Sequence, residues 1–239
     1  MTQLKIIAEL LQKASIIPVE KRTAWYKTGP GEYAEHDQFI GVPWPALRKI
    51  AKEFQGLTLV EIETFLISPI NEERLLALFI LINQYQKADD YFKIEIYEFY
   101  SSHLRFVNNW NLVDASAHLI IGAHLLNADK SPLLGLARSN VMWERRVAIV
   151  ATWAFIRENN LNWTFKVASI LLHDSHELIH KAVGWMLREA GKRQQDTLIL
   201  FLDKHAAQMP RTMLRYAIEK FSTHERRKFL AHGKTKDKV

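Results

Sequence analysis

"NLVDASAHL", residues 111–119, is one of five related stretches whose alignment decides the fold. Beside it stand "ERLLALFIL" (73–81), "RRVAIVATW" (145–153), "HKAVGWMLR" (180–188) and "LRYAIEKFS" (214–222). Their central residues are Ala77, Val113, Ala148, Ala182 and Ala217, so the intervals are 36, 35, 34 and 35. A mostly small residue flanked by larger apolar ones lets helices approach closely and stack. Between the anchored helices lie partner segments such as "DYFKIEIYEFYSSHL" (90–104) and "NWTFKVASILLHD" (162–174). Two helices per roughly 35 to 40 residues is the mark of an α-solenoid, in which each pair buries its apolar face only against its neighbours. The tetratricopeptide pattern is missing, and no stretch alternates with period two. The expected class is therefore all-α: a HEAT-like helical-repeat solenoid, an α-α superhelix with a concave basic surface, forming a single domain over residues 1–239.

Outward from the repeats, "MTQLKIIAELLQKAS" reads as an amphipathic helix with Leu4, Ile7 and Leu11 on one side. Pro18 precedes a short helical stretch, "VEKRTAWYKTG". The Gly29-Pro30-Gly31 cluster then opens the long irregular segment, residues 28–43. Pro45 suits a first helical turn, and "ALRKIAKEF" continues with Leu47, Ile50, Ala51 and Phe54 at helical spacing. Residues 231–239 read as a flexible basic tail.

Apolar residues make up 48% of the chain and charged ones 24%, the proportions of a globular protein rather than a disordered one. With no cysteine, thiolate chemistry and cysteine-ligated metals are excluded. No apolar run approaches bilayer length, and charges at Lys5, Glu9 and Lys13 argue against a signal peptide. The expectation is a cytoplasmic, nucleoid-associated monomer with no membrane partner. Net charge is +6. From Ala207 onward nine basic residues face three acids, so that segment alone carries an excess equal to the whole chain's. Such a surface suits a polyanion, nucleic acid ahead of membrane. Seven tryptophans, several among charges, point the same way.

The helical stretch "NNWNLVDASAHLIIGAHLL" (108–126) places Trp110 and Asp114 four residues apart, hence on one face. Asn111 followed by Asp114 also reads as a helix start, with the acid near the positive end of the dipole. Spacing alone leaves both readings open, a capping acid and a site acid. "HELIH" (176–180) fits H-E-x-x-H, which would set His176 and His180 as zinc ligands and Glu177 as a base. No extended pattern follows it, and Glu189 is too near to be a distant third ligand. Ser175 reads as an N-cap that accounts for the acid. No metal and no cofactor are expected, and neither a phosphate loop nor a G-x-S-x-G elbow is present.

"NWNLVDAS", "MWERRVAIV" and "HKAVGWMLREAGK", with the intervals between them, resemble the AlkD family of HEAT-repeat DNA glycosylases. "TAWYKTGPGEYAEHDQFIGVPWPALRKIAKEF" is similar to the N-terminal part of that family. The likeness runs from about residue 20 to residue 220. It implies excision of positively charged N3- and N7-alkylated purines from double-stranded DNA, without base flipping. Carried over by position, Trp110 and Asp114 match the active-site aromatic and the essential acid, and Trp185 the second cleft tryptophan. Arg146 matches the functional arginine, with Arg145 as its rival in "WERR". Arg188, Tyr26 and Arg48 match cleft or DNA contacts. At roughly 100° per residue the repeat register puts Trp110, Asp114 and Arg146 within one arc of about 100°, whereas Trp185 falls about 120° from Trp110. Trp185 thus rests on the resemblance. The segment between Tyr26 and Gly41 is longer than in compact members. A non-excising protein that binds damaged or branched DNA is the alternative, and a protein-binding scaffold the third reading.

Overall fold

A computed structural model describes residues 2–231, which are all-α: no strand occurs among them, only an isolated bridge between Gln38 and Ile70. The basic tail expected at 231–239 lies, beyond its first residue, outside the described residues. The chain divides into two compact units, Met1–Ser116 and Ala117–Val239.

The first unit runs α1 (Gln3–Ala14), α2 (Val19–Tyr26), α3 (Trp44–Glu53), α4 (Leu59–Leu66), α5 (Asn71–Lys87), α6 (Asp90–Ser102), a short 3-10 turn (Leu104–Phe106) and α7 (Trp110–Ser116). Ile7 and Leu11 are the buried residues of α1, and Pro45 occupies the first turn of α3, as the pattern expects. A capping box starts α4: Thr58 Oγ1 accepts the Glu61 N–H at 3.3 Å while the Glu61 carboxylate accepts the Thr58 N–H at 2.8 Å. At the centre stands α5, apolar on nearly all sides and packed by α3, α4 and α7.

Between α2 and α3 the long segment stays irregular, yet it is tied down. The Glu72 carboxylate accepts the N–H groups of Ile40 (3.1 Å) and Gly41 (2.9 Å), and the Gln38 backbone donates its N–H to the Pro69 carbonyl and accepts the Asn71 N–H. Gly41 has φ +80, and a side chain there would run into the Ile17 carbonyl, so glycine alone fits.

The second unit opens with a π-helical turn (His118–Gly122), in which the Gly122 N–H donates to the Ala117 carbonyl at 2.9 Å. It continues with α8 (Ala123–Leu125), α9 (Pro132–Ala137), α10 (Met142–Ala151), α11 (Trp153–Arg157), α12 (Asn162–Ile170), α13 (Glu177–Arg193), α14 (Gln195–His205), α15 (Arg211–Ala217) and α16 (Thr223–Ala231). The stretch 108–126 is thus not one regular α-helix, as its apolar pattern suggests, but α7, a π turn and α8. Hydrophobic spacing cannot distinguish i→i−4 from i→i−5 bonding over a single turn.

The central helix α13 packs against α10, α12, α14 and α15. Its approach to α15 depends on Gly184: a β-carbon there would lie 2.5 Å from the Met213 carbonyl oxygen and from the Tyr216 β-carbon. All five repeat anchors are buried, and they sit on α5, α7, α10, α13 and α15. The interval of about 35 residues therefore marks core helices of a helical-repeat fold.

Candidate functional site

Five of the seven residues of α7 are buried; Trp110 and Asp114 are the two that are not. Their four-residue spacing makes them neighbours on the one face that α7 leaves open. Asp114 is the fifth residue of the helix, past the first turn where the dipole acts. Its position is therefore explained by the face shared with Trp110, not by the dipole. Nor is Asn111 the cap: Asn109 Oδ1 accepts the Trp110 N–H at 2.7 Å, while Asn111 is buried and donates to Asn71 at 2.7 Å.

A buried polar network sets where α7 begins. Asp37, on the long loop, accepts from Asn109 at 2.7 Å and Asn71 at 2.8 Å, and is ion-paired with the buried Arg74 of α5. Arg74 also donates to the Ser68 carbonyl at 2.7 Å. Asp37 is compensated by three donors and the two terminal nitrogens of Arg74 are both engaged, only its Nε lacking a partner, so the pair is held in one arrangement.

Tyr26 at the end of α2 is buried with its ring between two others, Phe39 at 4.7 Å and Trp110 at 5.1 Å, both nearly parallel. Burial pushes its phenol above the ordinary tyrosine range, against the pull of Arg22 and a hydrogen bond with Trp44. Trp44 meets Phe79 edge-on at 5.9 Å, and the exposed Arg48 lies over Phe79 at 4.4 Å. The first unit thus holds two groups of ring contacts, Phe39–Tyr26–Trp110 and Trp44–Phe79–Arg48, linked by the Tyr26–Trp44 hydrogen bond, with Asp114 one helical turn from Trp110. An electron-rich indole face beside a carboxylate, held by buried rings and amides, is suited to a cationic species.

The second unit holds the other expected residues. Trp185 on α13 is half-buried and meets Trp153 edge-on at 5.1 Å; Trp153 in turn lies 4.6 Å from His118. Arg146 is only 5% exposed and donates to the Leu178 carbonyl. Arg145 pairs with Asp174 at 2.6 Å and donates to the Ser139 and Asn140 carbonyls, so it serves the loop preceding α10. Arg188 is ion-paired with Glu189 at 3.3 Å and with Glu219.

"HELIH" has a structural explanation. His176, not Ser175, caps α13, its Nδ1 accepting the Leu178 N–H at 3.1 Å. His180 bonds the Asp174 carbonyl at 2.5 Å, and Glu177 pairs with Lys181 at 3.0 Å. Among the described residues no group of three or more His, Asp or Glu side chains is placed to hold a metal.

Sequence reading missed Asp37, Asn71, Arg74 and Asn109, whose partners lie far along the chain. It also passed over Trp153 and Arg157, although both stand in or beside a quoted repeat and their i, i+4 spacing was a usable signal.

Three comparisons bear on this arrangement. A family model described as DNA alkylation repair enzyme matches residues 7–221. A solved structure of a predicted DNA alkylation repair enzyme from Enterococcus faecalis shares the fold, with a TM-score of 0.66 at 17% identity, over 86% of this chain and 95% of that one. No curated protein matches the chain.

Proposed function

The chain belongs to the DNA alkylation repair enzyme family, and from that premise we propose that it is a DNA glycosylase that hydrolyses the N-glycosidic bond of positively charged N3- and N7-alkylated purines in duplex DNA. The observation that carries the reading is the open face of α7, where Trp110 and Asp114 alone escape burial. A purine alkylated at these positions is a cation. When its bond to C1′ breaks, the electron pair goes to the base, which departs neutral, and the positive charge passes to the sugar. Little proton donation is needed. The difficult species is the oxocarbenium-like sugar, and a fixed carboxylate stabilises it electrostatically. Asp114 takes this role and orients the water that adds to C1′ and gives up a proton. Trp110, backed by Tyr26 and Phe39, offers its ring face to the same charge.

Trp185, Arg146, Arg188, Tyr26 and Arg48 keep the roles that the resemblance assigns, as contacts to the sugar–phosphate backbone or supports of those contacts. Arg48, exposed and stacked, fits a direct contact best. No pocket for an extruded base is required by this chemistry, so bulky adducts are accepted substrates.

Incubation with duplex DNA containing 7-methylguanine should release free base above the spontaneous rate. Asp114→Asn should lower that release by on the order of 100-fold or more, the scale of a lost electrostatic stabiliser, while retaining DNA binding. An unchanged rate in this variant would overturn the mechanism. Wild-type binding with no base release would place the chain instead among proteins that recognise damaged or branched DNA without excision.

A further inference from the structure

Three arginines of the second unit that flank the expected site have their guanidinium groups engaged: Arg145 by Asp174, Arg188 by Glu189 and Glu219, and Arg146 in part by the Leu178 carbonyl. Arg157 differs. It lies exposed in the last turn of α11, and its side chain forms no hydrogen bond and no ion pair among the described residues. Its one contact of note is with an aromatic face, the guanidinium carbon standing 4.6 Å from the centre of the Trp153 ring. That ring is half-buried and fixed from the other directions by His118 at 4.6 Å and Trp185 at 5.1 Å.

Stacking a guanidinium on an indole restrains the long arginine side chain without using its N–H donors, which point outward in the plane. The result is a pre-positioned fork of unspent donors at the edge of an aromatic cluster that includes Trp185. A planar fork matches the two oxygens of a phosphodiester. A merely solvated lysine or arginine would have neither the restraint nor the aromatic support.

We propose that Arg157 binds a DNA backbone phosphate, with Trp153 holding the guanidinium in place. The proposal rests on the reading of this chain as a DNA-acting protein, and adds a contact outside the residues assigned to excision.

Salt titration of binding to undamaged duplex DNA tests it apart from catalysis. Each neutralised phosphate contributes about 0.9 to the slope of log affinity against log salt. Arg157→Gln should therefore make the slope shallower by about 0.9. Arg157→Lys, which keeps the charge, should retain it. Lys5→Gln, which removes an exposed cation on α1, should leave the slope at the wild-type value. A wild-type slope in Arg157→Gln overturns the proposal, as does an equal change in Lys5→Gln, which would reduce the effect to net charge. If the wild-type protein releases 7-methylguanine but Arg157→Gln keeps the slope, only this contact fails. If the wild-type protein shows no salt-dependent DNA affinity, the reading beneath it fails as well.

Discussion

Asp37 shows how one loop carboxylate governs a site 77 positions later in the chain, at Asp114. Its side chain is fully buried, and it holds Asn109, Asn71 and Arg74 at once. Removing the carboxylate in Asp37→Ala leaves the Arg74 guanidinium buried without its counter-ion, a change that costs about 3–5 kcal/mol. Thermal or urea denaturation should show a loss of that order; a loss under about 1 kcal/mol, the value for an exposed pair, would mean that water reaches Arg74. At this scale Trp110 and Asp114 were legible because their relation is local: four residues on one helix share a face. Asp37 was not, since its bonded partners are 34, 37 and 72 residues away and nothing in "EHDQ" distinguishes a buried anion from a solvated one.

Among the helices, α13 depends most visibly on how it begins. His176 caps it through a neutral ring nitrogen that accepts the Leu178 N–H. Burial holds the pKa of this imidazole below its ordinary value of 6.5, with Asp174 pulling the other way. The unfolded chain therefore takes up its proton first as the pH falls. This group's contribution is fully present above about 6.5 and is lost as the pH drops from there through the lower folded value. Protonation also turns the accepting nitrogen into a donor and removes the cap. Asn supplies a cap oxygen that does not titrate, so His176→Asn should lose less melting temperature between pH 7 and pH 5 than the wild type. Equal losses would assign the acid sensitivity elsewhere. The sequence placed this boundary within one residue, at Ser175, because a hydroxyl cap is the commoner choice and a histidine cap carries no spacing signature. It also showed the position of α7 but not the π turn after it.

Across the whole chain, the repeat was the most legible feature, since burial of a small residue at each helix contact recurs at Ala77, Val113, Ala148, Ala182 and Ala217. Net charge was less informative. A total of +6 says nothing of which cations are spent on internal carboxylates, as those of Arg145 and Arg188 are, and which stay outward, as those of Arg48 and Arg157 do. The same distinction applies to the histidine and glutamate content. "HELIH" has the composition of a metal site, but its groups are committed to a helix cap, a carbonyl and a lysine. The proposed reaction makes no demand on a Lewis acid either, because the alkylated purine already carries the charge that makes it a good leaving group. A carboxylate facing a cationic sugar is weakened, not helped, by a divalent cation beside it. Base release from 7-methylguanine DNA should accordingly keep its rate in excess chelator and gain nothing from added zinc. A rate that falls with chelator and returns with metal would mean that Asp114 serves as a ligand rather than as the stabilising anion.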